Sequence, residues 1–411
     1  MLINRTTSVK SYGYIIFAAC FSIQAVGIGC YVAYGVFFNE LMLEFQWPRA
    51  VISGASSLAF FMMGVFGILI GRLNDRYGPR LLMTATSFFF GVGFILMSQV
   101  NSILQLYIFY GILFGIGLSS IDVIALSTIA RWFSLRRGAM TGLVKVGTGA
   151  GQFSIPLIAS LLIGLVGWRH TYLIIGSVAS IILFGVAQVL KRDHQEYQRI
   201  SKRDTPSIRQ VNNNETSSLS FKKAKKTLQL WNLCVVNFMV IFCLLSILIH
   251  IVPHARDIGL STSQAAGVLS TIGGVSMIGR FVSGLAIDRY GSRTIMISCL
   301  LLLITALFWL QVAESPWMLF LFACFYGLAH GGLFTAVSPI VAEIFGIKAH
   351  GTILGIVVCF GTTGGAIGPI IAGQIFDMTG SYSTSFWTLI IISACSLGIL
   401  SFLAPVKNEV L

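Results

Sequence analysis

The chain alternates long apolar runs with short polar breaks. A helix needs about 20 predominantly apolar residues to cross a bilayer, and the runs are close to that length. The spans that the pattern predicts are 12–37, 51–71, 81–99, 104–128, 139–163, 171–190, 230–252, 264–284, 294–311, 317–340, 351–375 and 384–404. The pattern therefore predicts an all-α membrane protein with twelve transmembrane helices.

Composition narrows the class of protein further. Of the 411 residues, 56% are hydrophobic and 10% are charged, whereas a soluble domain carries about 25% charged residues. We therefore exclude a soluble enzyme and a disordered chain, and we expect neither a cofactor nor a metal site. The eight cysteines lie inside apolar runs without a Cys-x-x-Cys pair, which favours buried small side chains over a disulfide framework.

Lysine and arginine are distributed unevenly over the loops. With the amino terminus inside, the outside loops hold only Arg49, Arg169 and Arg256 of the 27 basic residues. The positive-inside rule then predicts a multi-pass protein of the cell (inner) membrane with both termini in the cytoplasm. The formal net charge of +13 follows from short basic loops beside the spans, so it does not indicate nucleic-acid binding.

Residues 191–229 differ in composition from the rest of the chain. They contain ten lysines and arginines, an asparagine run and scattered serines and threonines. We expect a flexible cytoplasmic linker with an amphipathic basic end from Phe221 to Lys226. It would separate an amino-terminal six-helix bundle, residues 1–190, from a carboxy-terminal six-helix bundle, residues 230–411.

The two halves repeat each other. The segment Gly71–Arg80 reappears 213 residues later as Gly284–Arg293, and the same offset superposes 138–156 on 351–369 without a gap. The chain is therefore predicted to be a duplicated six-helix unit with parallel halves. Repeats of this kind form substrate sites near the middle of the bilayer, between the halves.

The repeated loop carries a recognisable signature. Its pattern, G-x-L-x-D-R-x-G-x-R, resembles the signature loop of the major facilitator superfamily, over essentially the whole chain. The segments 131–138 and 250–261, and an arginine eight residues before Asp288, are similar to the bacterial monocarboxylate and oxalate/formate transporters. The resemblance implies the major facilitator fold, carboxylate transport, and an eighth-span arginine, here Arg280, that binds the substrate carboxylate.

Three charged residues lie clearly within spans. Asp122, Lys145 and Arg280 each lie roughly 12 to 14 Å from the inner boundary, so we expect them to face one cavity. Arg280 shares a face of small or adaptable residues with Ser276, and its repeat partner is Gly67. A guanidinium matches a carboxylate with two parallel hydrogen bonds, although satisfaction by helix carbonyls or by a neighbouring acid is the alternative.

Lys145 has two interpretations. It could receive a second carboxylate, or it could pair with Asp122 on the neighbouring fourth span, where Ser119 lies one turn away. The two interpretations are compatible if substrate loosens the pair.

Further candidates are distributed along other spans. Aromatic walls for a pocket could come from Tyr31 and Tyr34, on a stripe with Gln24, and from His330 and Phe334, although ordinary helix packing would use the same residues. At the outer end of the seventh span, His254 and Asp257 could relay protons or gate the mouth, or form a solvated loop. For proton coupling we favour an acid, Asp257 or Asp122.

The repeated loops themselves suggest a gate. We expect them to act as latches between the halves that break and re-form during transport, with simple positive-inside anchoring as the alternative. The latch residues are Asp75, Arg76, Arg80, Asp288, Arg289 and Arg293.

The sequence as a whole predicts a secondary transporter that moves a small organic anion by alternating access, and it favours a monocarboxylate. We expect proton symport or exchange for a counter-anion, and a monomer embedded in the lipid bilayer. No lysine follows Lys348 in the eleventh span, where the oxalate exchangers carry one, so oxalate is disfavoured. The alternatives are a proton-linked exporter of amphiphilic drugs and a membrane sensor that does not transport.

Overall fold

The computed structural model describes residues 3–193 and 219–403. Long helices make up nearly all of this part, and no strand occurs in it. The helices are α1 (Ile3–Phe45), α2 (Arg49–Tyr77), α3 (Pro79–Leu96), α4 (Ile103–Trp132, π-helical over Tyr107–Phe114), α5 and α6 (together Arg137–Val189), α7 (Leu228–Asp257), α8 (Thr262–Tyr290), α9 (Ser292–Gln311), α10 (Pro316–Phe345), α11 (His350–Thr379) and α12 (Tyr382–Ser401).

Eleven continuous helices in the described ranges are long and apolar enough to cross a membrane, and one of them makes two crossings. Arg137–Val189 contains Gly167 with φ 79°, which no residue inside a right-handed helix adopts. The chain therefore turns there, and α5 (137–166) is separated from α6 (168–189). Gly380, 213 residues later, has φ 69° at the turn between α11 and α12. The prediction of twelve transmembrane helices in two repeats is confirmed.

The predicted repeat also reproduces the ends of the helices. The ranges of α2 and α8 are offset by 213 residues at both ends, and so are those of α4 and α10. Gly78 (φ 86°) and Gly291 (φ 82°) form equivalent turns, where only glycine adopts the backbone without strain. The helices extend several residues beyond the predicted spans, because their polar ends continue past the apolar core.

Glycines allow the central helices of each half to cross closely. In the amino-terminal half α5 lies directly on α1, and a Cβ on Gly151 would fall 1.8 Å from the Ala25 carbonyl oxygen. The equivalent crossing in the other half places Gly364 of α11 against Phe238 of α7, where a Cβ would lie 2.2 Å from a carbonyl oxygen. In lipid, such small-residue contacts supply packing that the hydrophobic effect does not.

The two halves meet along α2 with α11 and along α5 with α8. Gly71 packs on the Gly351 carbonyl group, and Gly138 packs on the Gly284 carbonyl group. Both contacts lie toward the end of the bundle that carries the Gly78 and Gly291 turns, which we call the Asp75 end. The helices of the two halves are therefore in close contact at this end.

The expected linker lies largely outside the described residues, which omit 194–218. Its described end differs from the expected flexible segment. Leu219 is buried and donates its backbone N–H to the Phe345 carbonyl (3.0 Å), and a short helix follows at Phe221–Ala224. Ala224 is buried too, and Phe221 packs against the hydrophobic core, which orders this segment before α7 begins at Leu228.

The close crossing of α1 and α5 gives a first prediction. We expect Gly151→Ala to destabilise the protein by about 1 to 3 kcal/mol, because the added methyl group must displace backbone atoms of α1. Gly164 lies in α5 too and has no atom within 4 Å of its Cβ position, so Gly164→Ala is the matched control and should be nearly neutral. Thermal unfolding of the purified protein in detergent measures both. Equal melting temperatures for the two variants would contradict the proposed packing.

Candidate functional site

Arg280 lies in the middle of α8, between two neighbouring helices. Gly142 of α5 packs on its carbonyl oxygen and Gly331 of α10 packs on its amide nitrogen, so the backbone at this position is enclosed on both sides. The side chain is 2% exposed. Glycines on the neighbouring helices thus hold a buried guanidinium at the boundary between the halves.

The Arg280 guanidinium has few hydrogen-bond acceptors among the described residues. Its Nη1 donates one long hydrogen bond, 3.4 Å, to the Lys145 carbonyl, and its Nε has no acceptor among the described residues. No carboxylate in that part of the chain forms an ion pair with it. A buried charge without partners is costly, so this group is suited to receive an anion.

Lys145 and Asp122 form an ion pair across α5 and α4. Nζ of Lys145 lies 2.5 Å from Oδ1 of Asp122, and the two side chains are 5% and 16% exposed. Gln24 of α1 donates from Nε2 to the same oxygen (2.8 Å), and Thr148 donates its hydroxyl to Gln24 Oε1 (2.7 Å). A continuous polar network therefore joins three helices in the amino-terminal half.

The network leaves the Asp122 carboxylate unevenly occupied. The side-chain hydrogen bonds described for it all reach Oδ1. Lys145, Asp122 and Arg280 together carry a formal charge of +1, and the Lys145 backbone contacts Arg280. The centre of the protein is thus a compact site with one uncompensated positive charge.

The two candidate tyrosines of α1 differ in how their side chains are bonded and exposed. Tyr34 is buried, donates its hydroxyl to the Ile52 carbonyl (2.8 Å) and stacks on a neighbouring tyrosine. Tyr31 is half-buried and stacks on Phe60 at 5.7 Å. The Tyr34 hydroxyl thus holds α1 to α2, and Tyr31 is the more exposed of the two residues.

On α10, His330 packs near Arg280. Its ring lies 4.9 Å from the Phe334 ring, and its Nδ1 has no hydrogen-bond partner among the described residues. The next residue, Gly331, packs on the Arg280 amide nitrogen, which places His330 beside α8. His330 and Arg280 therefore present two unsatisfied nitrogens in the same region.

The two candidate serines are bonded within their own helices. Ser119 donates to the Ile116 carbonyl (2.6 Å), and Ser276 donates to the Gly273 carbonyl (2.8 Å). Both are 2% exposed. With their protons engaged, these hydroxyl groups can still accept a hydrogen bond.

The candidates of the seventh span lie toward the end of α7. His254 packs its ring against Phe386 (4.8 Å) and Tyr382 (5.6 Å) of α12. Asp257 is the exposed last residue of α7. His250, one turn earlier, lies 2.9 Å from the Pro369 carbonyl. The structure groups these histidines with aromatic rings of the carboxy-terminal half, whereas Asp257 faces solvent.

Asp75 joins the halves by capping a helix. Its carboxylate accepts backbone hydrogen bonds from Gly351 (3.0 Å) and Thr352 (2.8 Å), at the start of α11. Thr352 adds its hydroxyl (2.7 Å), and Arg131 of α4 forms an ion pair with the carboxylate at 2.5 Å. A carboxylate at a helix amino terminus satisfies free N–H groups and the positive end of the helix dipole.

Asp288 makes the equivalent contact in the other direction. It accepts backbone hydrogen bonds from Gly138 (2.6 Å) and Ala139 (2.9 Å), at the start of α5. A small cavity of about 260 Å³ adjoins this contact, lined in part by Arg137 and Glu343. Each half thus places one aspartate on a helix terminus of the other half.

The four arginines of the repeated loops were predicted to form latches between the halves. Their described contacts all lie within their own half instead. Arg80 donates to Gln188 of its own half (2.9 Å), and Arg293 donates to the Ser401 carbonyl of its own half. Arg76 and Arg289 are exposed and each lies over the neighbouring tyrosine ring. The contacts between the halves are made by the aspartates. The helix termini across the interface present N–H donors, and a carboxylate can accept hydrogen bonds from them, whereas a guanidinium has only donors.

The described hydrogen bonds between the halves are confined to the Asp75 end and the centre. They are the bonds of Asp75 and Asp288 to the opposite helix termini and the bond from Arg280 to Lys145. None of the described hydrogen bonds joins the halves beyond Arg280, toward the opposite end. The protein is thus closed at the Asp75 end.

Comparison with known proteins identifies the fold and the group of relatives. The family model described as Major Facilitator Superfamily matches residues 15–289 and 255–410. Monocarboxylate transporter 13 of Bos taurus is 27% identical over 380 residues, covering 91% of this chain and 85% of the relative. Monocarboxylate transporter 12 of Homo sapiens is 25% identical, covering 93% and 80%. A solved structure of the proton:xylose symporter XylE is 14% identical, with a TM-score of 0.75 over 97% of each chain, and shares the fold.

The ion pair at the centre gives a second prediction. We expect Asp122→Asn and Lys145→Gln each to destabilise the protein by several kcal/mol, since a lone buried charge costs about 3 to 5 kcal/mol. The double variant should be more stable than either single variant, because it leaves no lone charge. Melting temperatures of the four proteins in detergent complete this cycle. Additive losses would show that the two side chains do not stabilise each other.

Proposed function

This chain belongs to the major facilitator superfamily, and from that premise we propose that it carries a small monocarboxylate across the membrane by alternating access. It is a membrane transporter related to the monocarboxylate transporters, not an enzyme. The observation that carries the proposal is the buried Arg280 guanidinium, whose Nε has no partner in the described part of the chain. A carboxylate is the ligand that its paired donors fit.

The surroundings of Arg280 support an anion with one charge. Lys145 is already paired with Asp122, so one of the two cations is compensated within the protein. A monocarboxylate would neutralise the remaining charge, whereas a dicarboxylate would have to displace Asp122 from Lys145. Half-buried Tyr31 and the aromatic neighbours of His330 would then contact the rest of a small substrate. A large amphiphilic drug fits poorly beside glycine-packed helices and a charged centre.

We assign proton coupling to Asp122. Its described hydrogen bonds all reach Oδ1, which leaves Oδ2 as the oxygen where a proton can add. An anionic substrate at Arg280 would remove positive charge that favours the ionised acid, so binding would favour protonation. Coupling of this kind offsets the electrical work of moving an anion inward, about 2.3 kcal/mol per charge for each 100 mV. Asp257 and His254 lie toward the end of α7 and would act on entry rather than on coupling.

For the orientation, we propose that the Asp75 end faces the cytoplasm of the cell membrane, as the distribution of lysine and arginine predicts. The caps of Asp75 and Asp288 would then close the inner end in the described state. Transport would require both caps to break and the two six-helix halves, 1–190 and 230–411, to rock about the central site. Each half contains complete helix crossings of its own, which supports a monomer.

Arg280 gives the third prediction. We expect Arg280→Lys to raise the KM for a monocarboxylate about 10- to 150-fold, because loss of a charged hydrogen bond costs about 1.5 to 3 kcal/mol. Uptake of labelled monocarboxylates and dicarboxylates into proteoliposomes measures the change. Arg72→Lys, an exposed arginine on α2, is the matched control and should keep the original KM. Unchanged transport in Arg280→Lys would end the assignment of the anion site.

Asp122 gives the fourth prediction. We expect Asp122→Asn to abolish accumulation of substrate driven by a pH gradient while preserving exchange of labelled for unlabelled substrate, since exchange needs no net proton movement. Both assays use the same proteoliposomes, so exchange is the internal control for folding. Asp257→Asn should keep accumulation driven by the pH gradient, because Asp257 is assigned to entry and not to coupling. If Asp122→Asn still accumulates substrate when driven by a pH gradient, the proton does not move through this residue, and the assignment of coupling to Asp122 is wrong.

A further inference from the structure

A group of lysines lies directly before α7. The short helix Phe221–Ala224 and the two residues after it place four lysines within five positions, and we call residues 221–226 the lysine turn. All four lysine side chains are exposed, and none takes part in the ion pairs described for this chain. They are Lys222, Lys223, Lys225 and Lys226. Their charges are therefore uncompensated by the described protein.

The lysine turn is fixed to the carboxy-terminal half. Leu219, just before it, is buried and bonded to the Phe345 carbonyl of α10, and Ala224 within it is fully buried. On the far side, Trp231 of α7 donates its indole N–H to the Lys225 carbonyl (3.1 Å). A solvated basic tail would show none of these contacts. The four charges are thus presented from a defined backbone.

The first turn of α7 marks the level of the membrane. Leu228 is 70% exposed and Trp231 is 47% exposed at the beginning of this apolar span. Exposed leucine and tryptophan at the end of a span are typical of the boundary between hydrocarbon and headgroups. Lysines within one or two turns of that boundary can extend their ammonium groups to lipid phosphates.

We propose that the lysine turn is a binding site for anionic phospholipid headgroups. The charge, the fixed backbone and the apolar neighbours at the membrane boundary together match a lipid phosphate with its acyl chains beside Leu228 and Trp231. Bound lipid would hold the beginning of α7 to the membrane surface. Because the site lies outside the centre of the transporter, it does not depend on the identity of the substrate.

Lipid-dependent thermal stability tests the proposal. The full chain, purified in detergent, is titrated with phosphatidylglycerol or with phosphatidylcholine, and the melting temperature is followed. We expect stabilisation by phosphatidylglycerol at lower concentrations. The variant Lys222→Gln, Lys223→Gln, Lys226→Gln should require about 100-fold more phosphatidylglycerol, since each of the three lysines near an anionic surface contributes about fivefold. Lys225 is retained, so that the residue whose main-chain carbonyl accepts the Trp231 indole N–H is the same in every variant.

Two control variants distinguish lipid binding at the lysine turn from a general effect of net charge. Neutralising Arg72, Arg136 and Lys348, three exposed cations outside the lysine turn, changes the charge equally and should leave the affinity unchanged. Replacing Lys222, Lys223 and Lys226 by arginine should retain binding, which also shows that the turn tolerates substitution. Equal losses in both neutralised variants would mean that net charge alone acts, and the proposal would be wrong. Equal stabilisation by inorganic phosphate would indicate a free-anion site and would overturn the lipid assignment.

Discussion

A charged group inside a bilayer must find its partner within the protein or in a ligand, because hydrocarbon offers neither hydrogen bonds nor counter-ions. The centre of this transporter is organised by that constraint. Lys145 and Asp122 satisfy each other, and Gln24 and Thr148 extend the pair into a network across three helices. Arg280 is left with one long bond to a carbonyl group. The contrast between a closed polar network and an open guanidinium makes the centre suitable for an anion.

The repeat provides a symmetrical frame for an asymmetrical site. Equivalent glycines form the crossings of α1 with α5 and of α7 with α11, and equivalent aspartates cap helices across the interface. The charged residues do not follow the repeat, since Gly67 corresponds to Arg280 and Val358 corresponds to Lys145. Packing and the caps between the halves are therefore duplicated by the fold, whereas each half contributes differently to the charged centre.

Much of the fold is accessible from sequence because its signals are local. Apolar runs predict the spans, including the break between 163 and 171 in which the structure places the turn at Gly167. The meeting of Asp122 with Lys145 is foreseeable as well, since both lie at one depth on neighbouring spans. The contact between Gln24 and Asp122 is much less so, because a glutamine on an apolar helix has many possible neighbours. The capping role of Asp75 is hidden for another reason: its acceptor atoms meet backbone donors, which leave no trace in the residue type.

The caps of Asp75 and Asp288 also bear on how this interface can change over evolutionary time. Each carboxylate recognises main-chain N–H groups, which every residue except proline possesses, so exchanges at Ala139 leave the contact chemically intact. Gly138 differs from Ala139, because the space there is limited and a side chain would collide with the backbone of Gly284. Asp288 and Ala139 are in contact, but substitutions at Ala139 would therefore occur independently of Asp288. Searches for contacts through correlated substitutions would overlook the very bonds that hold this end of the transporter closed.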